Sequence, residues 1–233
     1  MKSLPQHAAL VTFDDGFMGS FYRGLPICRQ NNIKPIYFLN FGDIFENKVL
    51  WPAVIDFLAS KNQKFKTEIM TKKIKKPEFL HVHPESIKKL QKKYNIKGKL
   101  NSIKTNCGLL ISSRHLKEID SDAYYLGNHL YFHWPSSLLN KNELIKNALK
   151  NHEKLRTFKN SLKILSFPFG DLPKSLSIAE FCERIGYKKC FGSQNGVNPN
   201  PSNTFLGRVS LGENDQGEFL RWFRLGRNFF AKS

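Results

Sequence analysis

The chain has 233 residues, 40% of them apolar and 24% charged, a balance ordinary for a globular protein and enough for one sizeable core. It contains no run of about 18 apolar residues, which excludes a transmembrane helix. Its 37 Lys and Arg against 19 Asp and Glu leave a net charge of +18, a bias toward anionic partners unless it is simply a solvated lysine-rich face.

In chain order, an apolar strand is predicted near 8–13, ending on Asp14-Asp15-Gly16. A helix over 18–31 and a strand at 35–40 follow, then a helix over 51–60. Residues 61–104 interrupt the alternation with 14 lysines against three glutamates and one helix opening at Pro84 and running through Ile87, Leu90 and Tyr94. This segment reads as an insertion packed on the core or covering the site. Within it, His81 and His83 read as a surface pair or as part of a lid.

The alternation resumes with a helix over 113–122, a strand at 124–128, a helix over 141–158 and a strand at 163–167. Asn140 caps the helix at 141, with Glu143 in its first turn. A helix over 174–185 stops at Gly186, and strands follow at 188–192 and 205–210. Strand and helix in turn describe a single α/β domain, and closure into a barrel places functional groups at the C-terminal ends of the strands. Cys28, Cys107, Cys182 and Cys190 form no C-x-x-C pattern and read as buried thiols. The start of the chain lacks the apolar segment of a signal peptide, so the expected setting is cytoplasmic.

Chemistry concentrates at the strand ends. Adjacent carboxylates such as Asp14 and Asp15 repel, so a fold that keeps both beside a buried strand needs a cation or a shared proton to offset the cost. Asp15-Gly16 also reads as a plain turn. His129 and His133 are four residues apart, one helical turn, a spacing that brings both imidazoles to one side of the chain. Two imidazoles and one carboxylate leave a coordination position open for water, as in catalytic zinc sites. The alternative is a pair of half-buried histidines among Tyr131, Phe132 and Trp134.

Thr-Phe-Asp-Asp-Gly at 12–16, Gly-Asn-His-x-x-x-His at 127–133 and Phe-Pro-Phe-Gly at 167–170 resemble, in order and spacing, three motifs of the polysaccharide deacetylases. This is the NodB-homology or carbohydrate esterase family 4. The resemblance implies an irregular, TIM-like (β/α) barrel of about seven strands. It implies a metal-dependent hydrolase removing an N-acyl group, acetyl before formyl, from a sugar of a glycan or glycan precursor. Asp14 would be the general base, and Asp15, His129 and His133 would hold one divalent ion, zinc first, with cobalt, nickel or manganese also accepted. Pro168, Phe169 and Gly170 would line the substrate groove together with Trp134, with the Phe169 N–H on the oxyanion.

Where the family usually has an arginine two residues before the proline, this chain has Ser166. Arg208, in Phe205-Leu206-Gly207-Arg208-Val209, resembles the late arginine of divergent branches and takes that part; otherwise it is a surface arginine at a strand end. The last histidine is His152, so no histidine occupies the usual acid position, and Asp14 serves as both base and acid. The expected partner is a carbohydrate, nucleotide- or lipid-linked given the charge, with peripheral contact at an anionic inner membrane face as a further option. A glycan-binding relative without turnover is the rival reading. No specific nucleic-acid motif is present.

Overall fold

The computed structural model describes residues 8–47, 50–71, 84–95, 109–193, 198, 200 and 202–211. Six strands form one parallel sheet in chain order: β1 (Thr12–Phe13), β2 (Ile36–Leu39), β3 (Tyr125–Asn128), β4 (Ser161–Ser166), β5 (Lys189–Phe191) and β6 (Phe205–Leu206). Sequential parallel pairing requires a crossover after every strand, and a sheet wound in one direction curls toward a barrel. The fold is thus an irregular α/β barrel, with six strands among the described residues where about seven were expected.

The helices are α1 (Leu25–Gln30), α2 (Trp51–Lys61), α3 (Gln63–Thr71), α4 (Pro84–Lys93), α5 (Ser113–Glu118), α6 (Lys141–Leu155) and α7 (Ile178–Ile185). Local chemistry explains their ends. Asn140 and Glu143 form a capping box on α6, Ser177 caps α7, and Gly186 ends α7 in the left-handed conformation. The helix expected over 18–31 forms over 18–30, with a π-helical turn at Ser20–Gly24 running directly into α1.

Strand residues alternate between two faces. Ile36, Phe38 and Phe191 pack on the concave face with Ile164 and Leu206, while Tyr37 and Leu39 point to the helices. All four residues of β2 are buried, as parallel strands covered on both faces require.

Within the lysine-rich insertion, Phe65 of α3 and Leu90 of α4 join the same core cluster as Trp51 and Ile55, so the described part packs on the barrel. Lys61, Lys64, Lys66, Lys88, Lys89, Lys92 and Lys93 remain exposed. Cys28, Cys182 and Cys190 are buried free thiols, as expected. His81, His83 and Cys107 lie outside the described residues. No described helix is long and apolar enough to cross a membrane.

Candidate active site

The first carboxylate pair forms where β1 ends. Asp15 and Gly16 both take positive φ, 71° and 77°, and the Gly16 N–H donates to Asp14 O at 2.9 Å. A Cβ on Gly16 would lie 2.8 Å from Leu39 Cδ2, so both the positive φ and the close Leu39 methyl favour glycine. The turn sends the two aspartates to different neighbours.

Asp14 meets Arg208. The guanidinium grips it bidentately, Nη1 on Oδ1 at 2.8 Å and Nη2 on Oδ2 at 2.7 Å. Its remaining N–H groups donate to Thr12 Oγ1 at 3.1 Å, Ser166 Oγ at 2.7 Å and Gly192 O at 3.2 Å. All five guanidinium donors are therefore satisfied, with the side chain only 16% exposed and stacked over Phe38. Arg208 is no surface residue at a strand end. Ser166 Oγ completes the arrangement by donating to Asp14 Oδ2 at 3.2 Å. Burial works to raise the Asp14 pKa, but His129 and the Arg208 guanidinium outweigh it and hold the carboxyl below its ordinary value.

Asp15 meets the histidines. Its Oδ1 lies 3.2 Å from His129 Nε2 and 3.0 Å from His133 Nε2. The His129 Nδ1–H donates to Ser166 O at 2.7 Å, which orients Nε2 toward the carboxylate. One ligand atom from each of Asp15, His129 and His133 lies within 4.8 Å of the other two, and Asp15 Oδ1 is buried without a hydrogen-bond donor. Convergent lone pairs in a buried setting repel unless a cation or proton lies among them, so these residues fit a divalent metal. Burial opposes ionisation of Asp15, yet the two imidazoles depress its pKa far below the usual range. Burial likewise disfavours a charged His129, but the Asp14 and Asp15 carboxylates raise its pKa.

The i, i+4 spacing of the histidines does not reflect a helix. Residues 129–135 are irregular, with Leu130 at φ 62°, and asparagine side chains replace helical hydrogen bonds. Asn128 Oδ1 accepts from Leu130 N, and Asn147 Oδ1 from Tyr131 N and Phe132 N.

Past β4, Pro168–Gly170 forms one 3₁₀ turn in which Phe169 takes φ 59°. The Phe169 N–H belongs to the first turn and has no acceptor within it. Its ring packs edge-on against His133, with centroids 4.3 Å apart. Asp14, Asp15, His129, His133, Phe169 and Gly170 line a cleft of about 320 Å³, walled by Phe17, Leu50, Pro52, Ala53 and Ser193. Pro168 is buried at the start of the turn and does not line the cleft.

Trp134 also departs from its expected place. It is 7% exposed and stacks on Trp51 in the core, because the irregular stretch turns its indole away from the cleft. Sequence reasoning gave no role to Thr12, Asn40, Asp43 and Ser193. All four lie in a strand or just past its C-terminal end, the location that had marked the other site residues.

No family model and no curated relative matches the sequence. Solved structures do. A de-N-acetylase from Aggregatibacter actinomycetemcomitans superposes with a TM-score of 0.59 at 12% identity, over 96% of this chain and 77% of that one. IcaB from Ammonifex degensii gives 0.56 at 15%, over 96% and 76% of the two chains. The Streptococcus pyogenes deacetylase PplD, solved in complex with acetate, gives 0.57 at 11%, over 98% and 72%. The chain therefore has the fold of the NodB-type polysaccharide deacetylases.

Proposed function

We propose that this chain is a metal-dependent hydrolase that removes an N-acyl group, N-acetyl before N-formyl, from a sugar of a glycan or glycan precursor. One observation carries the reading: three convergent ligand atoms lie beside a carboxylate clamped by a fully bonded guanidinium, at the floor of one cleft. The fold shared with deacetylases is consistent with it.

A divalent cation held by Asp15, His129 and His133 would supply Lewis acidity to an amide carbonyl and acidify water. Asp14, held as the carboxylate by the Arg208 guanidinium, accepts the proton of the attacking water. The Phe169 N–H donates to the developing oxyanion. Asp14 then returns its proton to the departing amine, so one carboxylate acts as base and acid. His115 pairs with Ser112 and His152 with Tyr187, so neither of these described histidines serves as acid in the cleft. Arg208 orients Asp14 and does not itself line the cleft. A glycan-binding protein without turnover would have no use for so constrained a base.

The net charge of +18 and the exposed lysines of α3 and α4 support an anionic precursor, nucleotide- or lipid-linked, and peripheral contact with an anionic membrane face. The test is metal content after zinc reconstitution and desalting, followed by acetate release from N-acetylated sugars. Wild type should retain about one equivalent of zinc, as a three-ligand catalytic site does. Asp15→Ala and His129→Ala should retain none and release no acetate. A wild-type chain without zinc would overturn the reading.

A further inference from the structure

Both imidazoles are presented by the irregular stretch 129–133, and the segment 39–43, from the last residue of β2 onward, runs beside it. The His129 N–H donates to Leu39 O at 3.1 Å, the Gly42 N–H to Tyr131 O at 2.7 Å, and the His133 N–H to Asp43 Oδ2 at 2.8 Å. The Asn40 side-chain amide donates to His129 O. Residues 129, 131 and 133 are thus each tied to one short segment. A Cβ on Gly42 would meet the Tyr131 ring at 2.5 Å, so only glycine permits this approach.

The two histidines are held differently. The ring of His129 is fixed through its own Nδ1–H on Ser166 O. His133 Nδ1 is buried with no hydrogen-bond partner, so no such bond orients its ring. Beside the edge contact with Phe169, its placement comes from its backbone, whose C=O accepts from Trp51 Nε1 at 2.6 Å and whose N–H donates to Asp43. Asp43 is a carboxylate only 2% exposed, and the chemistry proposed above does not use it.

We propose that Asp43 is a positioning residue: by holding the His133 N–H it sets the second imidazole for the metal, in place of the ring hydrogen bond that a ligating histidine ordinarily makes. The inference rests on the metal-site reading, and the tests separate the two. In the wild-type chain the His133 amide should exchange at least about 100-fold more slowly than an open-loop amide. Free exchange overturns the inference and leaves the metal site standing. Asp43→Ala should weaken zinc binding by about 10–100-fold in competition with a chromophoric chelator, with excess zinc restoring kcat. Asp43→Asn keeps an acceptor and should stay within about threefold of wild type. A folded Asp43→Ala chain that binds zinc like wild type, or an Asp43→Asn chain as weak as Asp43→Ala, overturns the proposal. A wild-type chain that binds no zinc overturns the metal reading, while amide exchange still decides whether Asp43 holds the stretch.

Discussion

Asp14 and Asp15 are neighbours in the chain with opposite surroundings. Asp14 lies against a guanidinium whose five donors are all used, a rigid cationic clamp that leaves its protonation as the only freedom. Asp15 lies against two imidazoles that can each offer a lone pair, an arrangement suited to a cation. One turn with two successive positive φ values is enough to send one carboxylate to a guanidinium and the next to two imidazoles. The contrast teaches that identical side chains acquire different surroundings from partners far along the chain, here Arg208 for one and His129 and His133 for the other.

Breaking the Asp14 half should leave the other half intact. Asp14→Asn is expected to lower kcat by about 10²–10⁴-fold while zinc stoichiometry stays at the wild-type value, measured by acetate release beside metal analysis. A parallel loss of zinc would show that the two halves are not separable.

Removing the clamp is expected to have a smaller and pH-dependent effect. Arg208→Ala should reduce kcat by about 10²-fold through misplacement of Asp14. Because the guanidinium lowers the Asp14 pKa, its loss raises that pKa and moves the acidic limb of the kcat/KM profile to higher pH. The sign for stability follows the same shift. A carboxyl depressed in the folded state stabilises the fold above its unfolded pKa of about 3.9 and loses that contribution as pH falls through the folded value. Acid unfolding of Arg208→Ala should therefore show a weaker contribution from Asp14 than in wild type.

The smallest effect is expected outside both halves. Trp134→Phe should lower Tm by about 2–8 °C, as a reduction in core volume does, with KM within about twofold of wild type. A large rise in KM with unchanged Tm would return Trp134 to the substrate groove.

Much of this was legible in the sequence because the informative groups are close in the chain. Asp14-Asp15-Gly16, His129-x-x-x-His133 and Pro168-Phe169-Gly170 each form one turn or loop, and short-range sterics act on such segments directly. The capping box at Asn140 and Glu143 and the stop at Gly186 were readable for the same reason. Less was legible where neighbours intervene. The histidine spacing suggested one helical turn, yet Asn128 and Asn147 hold those residues in an irregular stretch. The helix over 18–31 forms as one continuous run, but its π-helical turn at Ser20–Gly24 carries no signal in the periodicity.

By itself, the sequence determined the α/β alternation, the strand-end placement of Asp14, Asp15, His129 and His133, and the punctuation of the helices. These depend on periodicity, caps and turns that span a few residues. Only the tertiary structure decided that Arg208 clamps Asp14 across 194 positions, that Asp43 holds the His133 backbone, and that Trp134 belongs to the core. Those outcomes depend on which strands pair, in what register, and which face each side chain then takes, and no local preference specifies that.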